Sequence, residues 1–377
     1  MKAQKLKKVI ISVTNDLVSD NRVHRTCIFF VEEGFDVLLI GRKLSDSLPI
    51  NRPYKMFRFR LIFNKKIFFY AEYNLRLFFL LLFHRCDILV ANDLDTLAAN
   101  YYASKIKRCS LLYDSHEYFT EVPELVGRKK VKRIWEKIEQ NIFPKLPLAV
   151  TVCDSIAEIY HQKYNIPVYS IRNVPLNKGN IEKKDIKPIF KEFKHLLIYQ
   201  GALNIGRGIE SVIDSMIYLD DCIVLLIIGK GDIEFDLHKR VEKLKLTERV
   251  KFLGKIFIED LHAYTLNADL GFSLEEDRGL NYRFALPNKL FDYIHASVPI
   301  VCSDLPEMSK IVKEYDVGIC LNKNQRHPEK LAQIITELLS AEKQLEEWKT
   351  NCKIAAKELN WEIEKDKLKS VLQKLVN

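Results

Sequence analysis

The sequence predicts a doubly wound α/β protein with two domains in succession. The chain has 377 residues, and domains usually run to about 100–200 residues, so two domains are expected. Short β-branched runs alternate with segments of helical periodicity in both halves, a pattern typical of parallel sheets. The polar, lysine-rich stretch 177–194 separates the halves and is predicted to be a linker. Ligands in such sheets bind beyond the carboxyl ends of the strands, so we expect a ligand crevice between two facing domains.

The first half, residues 1–176, is predicted to form a Rossmann-like domain. Several of its strands are continuous Leu, Ile and Val runs, which suits a sheet covered on both faces. The predicted strands are 9–14, 36–40, 87–91, 110–114, 148–152 and 168–171. The predicted helices between them include 21–34, 94–106, 131–142 and 155–164.

The second half repeats this scheme over residues 195–360. Its predicted strands are 195–199, 222–228, 250–253, 270–273, 299–302 and 318–321. Two helical segments follow at 342–359 and 361–375. The last of them, within 361–377, is treated as a separate C-terminal helix.

The positive charge is concentrated near the amino terminus. Residues 1–85 hold 16 Lys and Arg against 7 Asp and Glu, which accounts for the whole net charge of +9. This asymmetry indicates either an anionic partner surface, membrane or nucleic acid, or simply a solvated basic face. Hydrophobic residues at 47% and charged residues at 29% exclude general disorder and a multi-span membrane protein.

Basic and aromatic residues interleave over residues 54–85. Such a stretch suits an amphipathic helix at a membrane interface, or a helix that packs an aromatic face against its own sheet. Nucleic-acid binding is not expected, because no recognised motif is present. The residues predicted to meet a membrane are Lys55, Arg58, Arg60, Lys65, Lys66 and Arg76, with Phe68, Phe69 and Phe78 as inserted groups.

The remaining composition predicts a cytoplasmic protein, and peripheral attachment to the inner face of the cell membrane is a further hypothesis. The eight cysteines show no CxxC spacing and are interpreted as free thiols in a reducing compartment. No signal peptide is recognisable. The longest apolar run, 75–83, is far short of the roughly 18–20 residues that span a bilayer.

A glycine-rich turn follows the first strand of the second half. In the segment YQGALNIGRG, the turn contains Gly201, Gly206 and Gly208, and Arg207 stands before the next helix. Small residues let backbone amides approach an anion, and a guanidinium can bind phosphate with two hydrogen bonds. The alternative is a turn that only connects a strand to a helix.

The segment LPNKLFDYIHASVPIVCSD, residues 286–304, carries the strongest local signal. Pro287 and Asn288 are typical of a helix start, which places Lys289 and Asp292 in the first half of the helix. The helix N-terminus suits a diphosphate, and Asp292 suits a ribose diol. The alternative is that Asp292 is an ordinary exposed helix residue.

Polar residues end two strands of the first half. His116, flanked by Asp114 and Glu117, suits contact with a substrate hydroxyl or a developing charge, or a hydrogen bond to its own loop. The DLD sequence at 93–95 resembles a metal-binding motif, but it opens a helix. We therefore predict that Asp93 is a helix cap and that there is no metal site.

These segments together resemble the retaining glycosyltransferases of GT-B type, in the family 4 group, over almost the whole chain. The resemblance rests on NDLVSDNRVHR (15–25), ANDLDTLAA (91–99), LLYDSHE (111–117), YQGALNIGRGIESVI (199–213), PNKLFDYIHASVPIVCSD (287–304) and NWEIEKDKLKSVL (360–372). It implies two Rossmann-like domains facing across a cleft, with the C-terminal helix crossing back onto the first domain.

The resemblance also implies roles for individual residues. His116 would be the catalytic residue beside the transferring sugar. The donor would be bound by Arg207 at the diphosphate and Asp292 at the ribose, and the first acid of the family signature is replaced by Phe284. Glu275 or Glu276 could supply the missing contact, and Glu276 is selected. The other implied donor residues are Gly201, Asn288 and Lys289, and the implied acceptor-side residues are Asn15, Arg22, Asp93 and Glu117.

The implied activity is transfer of a sugar from a nucleoside diphosphate sugar to a hydroxyl of a saccharide or lipid-linked acceptor, in cell-surface glycan or glycolipid synthesis. No cofactor beyond the donor substrate is expected, and no metal, because positive side chains and helix amides neutralise the leaving diphosphate. Two alternatives remain: a non-catalytic partner that binds nucleotide sugars, and a GT-B-type sugar-nucleotide epimerase.

Overall fold

The computed structural model describes residues 6–18, 20–45, 47–125, 127–177, 179 and 181–376. Residues 1–5 of the basic start, residue 19 of the first motif, and residues 178 and 180 of the predicted linker lie outside this part. The chain divides into two compact units. Unit 1 comprises Met1–Asn173 with Lys365–Asn377, and unit 2 comprises Val174–Glu364.

The described part of unit 1 contains a seven-stranded parallel sheet in the order β3-β2-β1-β4-β5-β6-β7. The strands are β1 (Lys8–Asp16), β2 (Asp36–Arg42), β3 (Lys55–Phe59), β4 (Ile88–Asn92), β5 (Ser110–Ser115), β6 (Ala149–Thr151) and β7 (Val168–Ser170). The helices are α1 (Asn21–Glu32), α2 (Lys66–Phe83), α3 (Leu94–Lys107), α4 (Lys129–Ile142) and α5 (Asp154–Tyr164).

Strand β1 lies in the interior of this sheet, between β2 and β4, because both of its faces are apolar. Val9 pairs with Val37 on one side and with Ile88 on the other. Val9, Ile10 and Ile11 are all at most 2% exposed. Helices cover both faces of such a sheet, which is why the run carries no polar alternation.

The basic and aromatic stretch 54–85 forms two elements, an edge strand and a helix. Strand β3 pairs only with β2 in the described sheet, and α2 begins at Lys66. One face of α2 is core, with Phe69, Tyr73, Leu77 and Leu81 buried at intervals of four residues. The prediction that Phe69 inserts into a membrane is therefore wrong, since its side chain is 5% exposed.

The opposite face of α2 is apolar and exposed. Its large side chains Phe68, Leu75, Phe79 and Phe83 are 62%, 60%, 50% and 84% exposed. Lys65 and Lys66 at its start are exposed as well. Arg58, also predicted to meet a membrane, is instead half-buried and lies 3.5 Å from the carboxylate of Asp16.

Unit 2 contains a six-stranded parallel sheet in the order β10-β9-β8-β11-β12-β13 among the residues that are described. The strands are β8 (His195–Gln200), β9 (Ile223–Ile228), β10 (Val250–Gly254), β11 (Leu270–Ser273), β12 (Ile300–Ser303) and β13 (Gly318–Leu321). The helices are α6 (Ile209–Ser215), α7 (Glu234–Lys243), α8 (Ile258–Thr265), α9 (Leu280–Arg283), α10 (Asn288–His295), α11 (Pro306–Tyr315), α12 (Pro328–Ser340) and α13 (Glu342–Glu358), and the first four residues of α14 (Trp361–Val376) follow them. Every predicted strand is present, with ends that differ by at most two residues.

Glycines allow the loops at the carboxyl edge of this sheet to approach one another closely. Gly208 has φ of +71°, and a Cβ placed there would lie 2.2 Å from the carbonyl oxygen of Leu274. A Cβ on Gly229, whose φ is +148°, would lie 1.8 Å from the carbonyl oxygen of Gly201. Larger residues at either position would separate the loops after β8, β9 and β11.

The segments between the units differ in detail from the predicted boundaries. The stretch 177–194 groups with unit 2, where the Lys184 amide donates to the Ala263 carbonyl and Ile186 and Phe190 are buried. Residues 365–376 of α14 group with unit 1. There, Lys365 and Lys369 pair with Glu32 and Glu33 of α1.

Among the described residues, no helix is both long and apolar enough to cross a bilayer.

Candidate functional site

Three charged side chains of unit 2 meet at the carboxyl edge of its sheet. Arg207 lies in the loop between β8 and α6, Glu275 follows β11 directly, and Lys289 is the second residue of α10. The carboxyl ends of neighbouring parallel strands lie at one edge, which brings residues far apart in sequence together there. We call these three residues the charged triad.

Glu275 is the centre of the charged triad. Its side chain is fully buried, and one carboxylate oxygen lies 2.7 Å from Nζ of Lys289 and 3.7 Å from a terminal nitrogen of Arg207. The other oxygen accepts a hydrogen bond of 2.7 Å from the hydroxyl of Ser273. Burial alone would raise the pKa of Glu275, but Lys289 and Arg207 outweigh burial and hold the pKa below its usual value.

The two cations of the triad differ in exposure. The Lys289 side chain is 7% exposed, and its ammonium lies 4.1 Å from the ring centroid of Tyr199. The Arg207 side chain is 29% exposed and lies over the ring of Tyr282. Two cations against one anion leave an excess positive charge, with Arg207 the more accessible of the two. This arrangement suits an anionic ligand.

Glu276, the acid selected from the sequence, does not join the triad. Its side chain is 46% exposed and pairs with Arg278 at 2.6 Å. Glu275 takes the buried position, where its carboxylate accepts from Ser273 and contacts Lys289. Alternation along the chain does not distinguish the two acids, because Ser273 and Leu274 before them are both buried. Phe284 ends the short helix α9 and is half-buried.

Asp292 lies in a recess beside the triad's strand β8. Its carboxylate accepts a hydrogen bond of 3.0 Å from the side-chain amide nitrogen of Gln200. The side-chain amide oxygen of Gln200 accepts a hydrogen bond from the hydroxyl of Thr265. The recess is also lined by Leu261, His262 and His295 among others. Asp292 is therefore an oriented, half-buried acceptor and not a solvated helix residue.

The other two predicted donor residues, Asn288 and Gly201, lie at the start of α10 and directly after β8. Helix α10 begins at Asn288, as predicted, and Asn288 is exposed. Gly201 follows β8 with φ of +130° and donates its amide to the carbonyl of Ile228.

Unit 1 holds a second cluster around His116 at the ends of β4 and β5. One ring nitrogen of His116 lies 3.5 Å from Asp93, and the other lies 3.1 Å from the amide oxygen of Asn92 and 3.4 Å from Asp114. The His116 side chain is 14% exposed. Its backbone amide also donates to Asp93.

The surrounding carboxylates make His116 a cation. Burial alone would lower the pKa of His116, but Asp93 and Asp114 outweigh burial and raise the pKa to about 9. Burial likewise opposes ionisation of Asp114, yet Arg22 and His116 hold the pKa of Asp114 well below its usual range. At neutral pH the imidazolium ring can donate hydrogen bonds but cannot accept a proton.

Arg22 supports this cluster from within. Its buried guanidinium lies 2.6 Å from Asp114 and donates to the carbonyl of Ile171. Asn15 is exposed and donates to Asp20, which caps α1. Glu117 is exposed. Arg22 and Asp93 therefore hold His116 and Asp114, whereas the side chains of Asn15 and Glu117 face solvent.

The DLD sequence plays a different part from the predicted one. Asp93 occupies the position before α3, but its side chain makes no capping hydrogen bond to the helix, because it accepts from the His116 backbone amide instead. Asp95 accepts from the hydroxyl of Thr14. The residues that the structure describes include no group of three or more His, Cys, Asp or Glu side chains placed to hold a metal ion.

The two parallel α/β units define a protein of the GT-B fold class, and the predicted fold class is confirmed. Sucrose-phosphate synthase from Thermosynechococcus elongatus has the same fold, with a TM-score of 0.81 and 15% identity, covering 98% of this chain and 99% of that one. Anabaena HepE in complex with UDP-glucose is also similar, with a TM-score of 0.72 and 15% identity over 98% of this chain and 100% of HepE.

Sequence comparison matches part of unit 2 to a known family. Residues 180–354, which lie within unit 2, match the family described as glycosyl transferases group 1. Chitobiosyldiphosphodolichol beta-mannosyltransferase of Candida albicans is 29% identical over 120 residues, which is 31% of this chain. The match spans only 25% of that relative's length. Together, the comparisons show the GT-B fold for the chain and a family match for residues 180–354, which are less than half of it.

Proposed function

We propose that this protein transfers a sugar from a nucleoside diphosphate sugar to an acceptor hydroxyl. The observation that carries the proposal is the charged triad at the carboxyl edge of unit 2, inside the region that matches the glycosyl transferase family. The bond between the sugar and the diphosphate breaks, and the sugar carbon bonds to the acceptor oxygen. The diphosphate departs with the bonding electrons, and one of its oxygens takes up the proton that the acceptor hydroxyl loses.

The leaving diphosphate is the group that most needs stabilisation. Arg207 and Lys289 supply positive charge, and the amides at the start of α10, from Asn288 onward, supply hydrogen-bond donors. Fixed donors aimed at developing charge act strongly in a site from which water is largely excluded. We propose on this basis that the reaction needs no metal ion.

The nucleoside would bind beside the diphosphate. Asp292 is proposed to accept hydrogen bonds from the ribose diol, since Gln200 already orients its carboxylate. The crystal structures of Anabaena HepE in complex with UDP and with UDP-glucose support a nucleotide-sugar donor for this fold. Gly201 is proposed to keep the loop after β8 close to the donor.

In unit 1, His116 is proposed to donate a hydrogen bond to a hydroxyl of the transferring sugar. A cationic ring held by Asp93 and Asp114 suits that task better than proton abstraction. Asn15 and Glu117, whose side chains are exposed, are proposed to contact the acceptor. Membership of the family 4 group and retention of anomeric configuration are part of the proposal and rest on the sequence resemblance.

Release of free nucleoside diphosphate from a nucleoside diphosphate sugar tests the proposal. Transfer predicts release only when an acceptor is present. An epimerase would change the sugar nucleotide without any acceptor, and a non-catalytic partner would bind the nucleotide and release nothing. Either of those results would replace sugar transfer by the corresponding alternative.

We also propose that the protein is cytoplasmic and attaches to an anionic membrane surface through unit 1. The exposed apolar face of α2 combines with Lys65 and Lys66 at its start, and the sequence 1–85 carries the whole net positive charge. The name of the Candida albicans relative specifies a diphosphodolichol-linked saccharide. A lipid-linked acceptor for this chain would agree with membrane attachment.

A further inference from the structure

Arg326 contacts the backbone of the charged triad although it lies outside every motif of the sequence. It follows β13, in the short turn Asn324–Arg326, and is half-buried. One terminal nitrogen donates to the backbone carbonyl of Glu275 at 3.0 Å and to the hydroxyl of Ser303 at 2.9 Å. The Leu274 carbonyl lies 3.5 Å from the same nitrogen.

These contacts join the ends of two neighbouring strands. Glu275 follows β11, and Ser303 is the last residue of β12. The backbone at Leu274 also lies close to Gly208, and a Cβ on Gly208 would clash with the Leu274 carbonyl oxygen. The chain at 274–275 is therefore held between the loop that carries Arg207 and the guanidinium of Arg326.

The position of this backbone decides where the Glu275 carboxylate lies. Glu275 has no exposed surface and contacts both cations of the triad. A shift of its backbone would move the carboxylate that Arg207 and Lys289 share. The two cations would then lie at different positions. A hydrogen bond from a charged donor is strong enough to hold such a position.

We propose that Arg326 is a positioning residue for the diphosphate site, acting through Glu275. This inference rests on the proposed function, because it assumes that the triad binds the diphosphate of a nucleotide. Arg326 acts on Arg207 and Lys289 only through the chain that carries their shared carboxylate. Its loss should therefore weaken recognition of the diphosphate and spare recognition of the nucleoside.

The test measures binding to the full chain by calorimetry. UDP, GDP, ADP and dTDP are compared first by thermal shift, and the diphosphate that raises the melting temperature most is used with its nucleoside. Arg326→Gln should lower the affinity for the diphosphate about tenfold, as the loss of one charged hydrogen bond implies. Its affinity for the nucleoside should stay at the wild-type value. Arg326→Lys keeps the charge and one donor direction and should recover part of the loss.

Arg249 offers a matched control in the same sheet. It is also half-buried and donates to the backbone carbonyls of Leu219, Asp220 and Ile223, near the amino end of β9. Arg249→Gln should lower the melting temperature without changing the ratio of diphosphate to nucleoside affinity. An equal change of that ratio in Arg249→Gln and Arg326→Gln would overturn the inference, since the effect would then be general destabilisation.

Two further outcomes are decisive. A wild-type ratio in Arg326→Gln, with diphosphate binding intact in the wild type, overturns the role of Arg326 alone. If the wild type binds none of the four diphosphates, the proposed function is overturned and this inference with it. If Arg326→Gln does not fold, Arg326→Lys and Ser303→Ala replace it. Ser303→Ala should reduce the ratio in the same direction, and an unchanged ratio in both variants contradicts the proposal.

Discussion

Arg207 is the residue whose replacement tests the donor site most directly. It is the more exposed cation of the charged triad, so a ligand reaches it first. Arg207→Ala should lower the affinity for a nucleoside diphosphate roughly tenfold or more, since a charged hydrogen bond contributes about 1.5–3 kcal/mol. Isothermal calorimetry measures the change. Arg240 of α7 pairs with Asp214 of α6. Arg240→Ala is the control and should leave the affinity unchanged.

Asp292 makes a separate prediction about the nucleoside. Asp292→Asn keeps the size of the side chain but replaces one acceptor oxygen by a donor, which also faces the donating amide of Gln200. We expect weaker binding of the nucleoside itself, with a fold that is intact by circular dichroism. Asp214→Asn is the control. Equal nucleoside affinity in wild type and Asp292→Asn would show that Asp292 does not bind the ribose.

His116 predicts a pH dependence of stability in unit 1. Its pKa is raised to about 9 in the folded protein, against about 6.5 in an unfolded chain. The stabilisation is fully present below pH 6.5 and is lost as the pH rises through 9, by up to about 1.4 kcal/mol per pH unit. Urea unfolding of wild type and His116→Gln at pH 6.5, 8 and 9.5 should show their difference shrinking as the pH rises. A constant difference would contradict the assigned ionisation.

At the scale of elements, helix α2 carries two apolar faces with different tasks. The buried face packs on the sheet, and the hydroxyl of Tyr73 donates to the carbonyl of Val13 in β1. On the exposed face, Leu75, Phe79 and Phe83 are 60%, 50% and 84% exposed. Exposed apolar side chains next to lysines are typical of helices that bind lipid interfaces.

The corresponding prediction concerns binding to vesicles. Wild-type protein should sediment with liposomes that contain anionic lipid and less so as salt rises, because each Lys near the surface contributes about 1 kcal/mol that salt screens. Exchange of Lys65 and Lys66 for Glu should reduce sedimentation sharply. Exchange of Lys353 and Lys357 for Glu, both exposed on α13, changes the net charge equally and should have little effect. Equal sedimentation with neutral and anionic vesicles would rule out the proposed electrostatic attachment.

At the scale of the whole molecule, the two units carry different kinds of evidence. The family match at 180–354 lies within unit 2, and the charged triad lies there too. Unit 1 carries the basic sequence at the amino terminus and the His116 cluster. The proposed donor residues therefore lie inside the region that matches the family, and the proposed acceptor residues lie outside it and rest on the geometry of unit 1 and the sequence resemblance.

Transfer by the complete protein should persist in EDTA. Arg207, Lys289 and the amides of α10 are proposed to stabilise the leaving diphosphate, which is the task a divalent ion performs in other transferases. Product release is measured with and without EDTA, at equal ionic strength. Loss of activity that magnesium or manganese restores would show that the cations of the triad are not sufficient.

The sequence by itself determined the order of strands and helices along each half. Residues 223–228 are apolar throughout, and residues 9–14 are apolar except for Ser12 and Thr14, so burial on both faces of a parallel sheet was the favourable environment for both runs. The start of α10 was also predictable, because Pro287 and Asn288 act locally. The edge strand β3 escaped prediction because the aromatic Phe57 is exposed and the basic Arg58 is half-buried, which obscures an alternating pattern.

Only the tertiary structure decided which charged residues meet. Glu275 and Glu276 are adjacent in sequence, and the path of the chain after β11 buries the first and exposes the second. Phe68 and Phe69 differ in the same way, since neighbouring residues on a helix point to different faces and contact with the sheet selects one. Arg326 reaches Glu275 across 51 residues. Local propensity carries no information about such contacts, because they arise when neighbouring strands end at a common edge of the sheet.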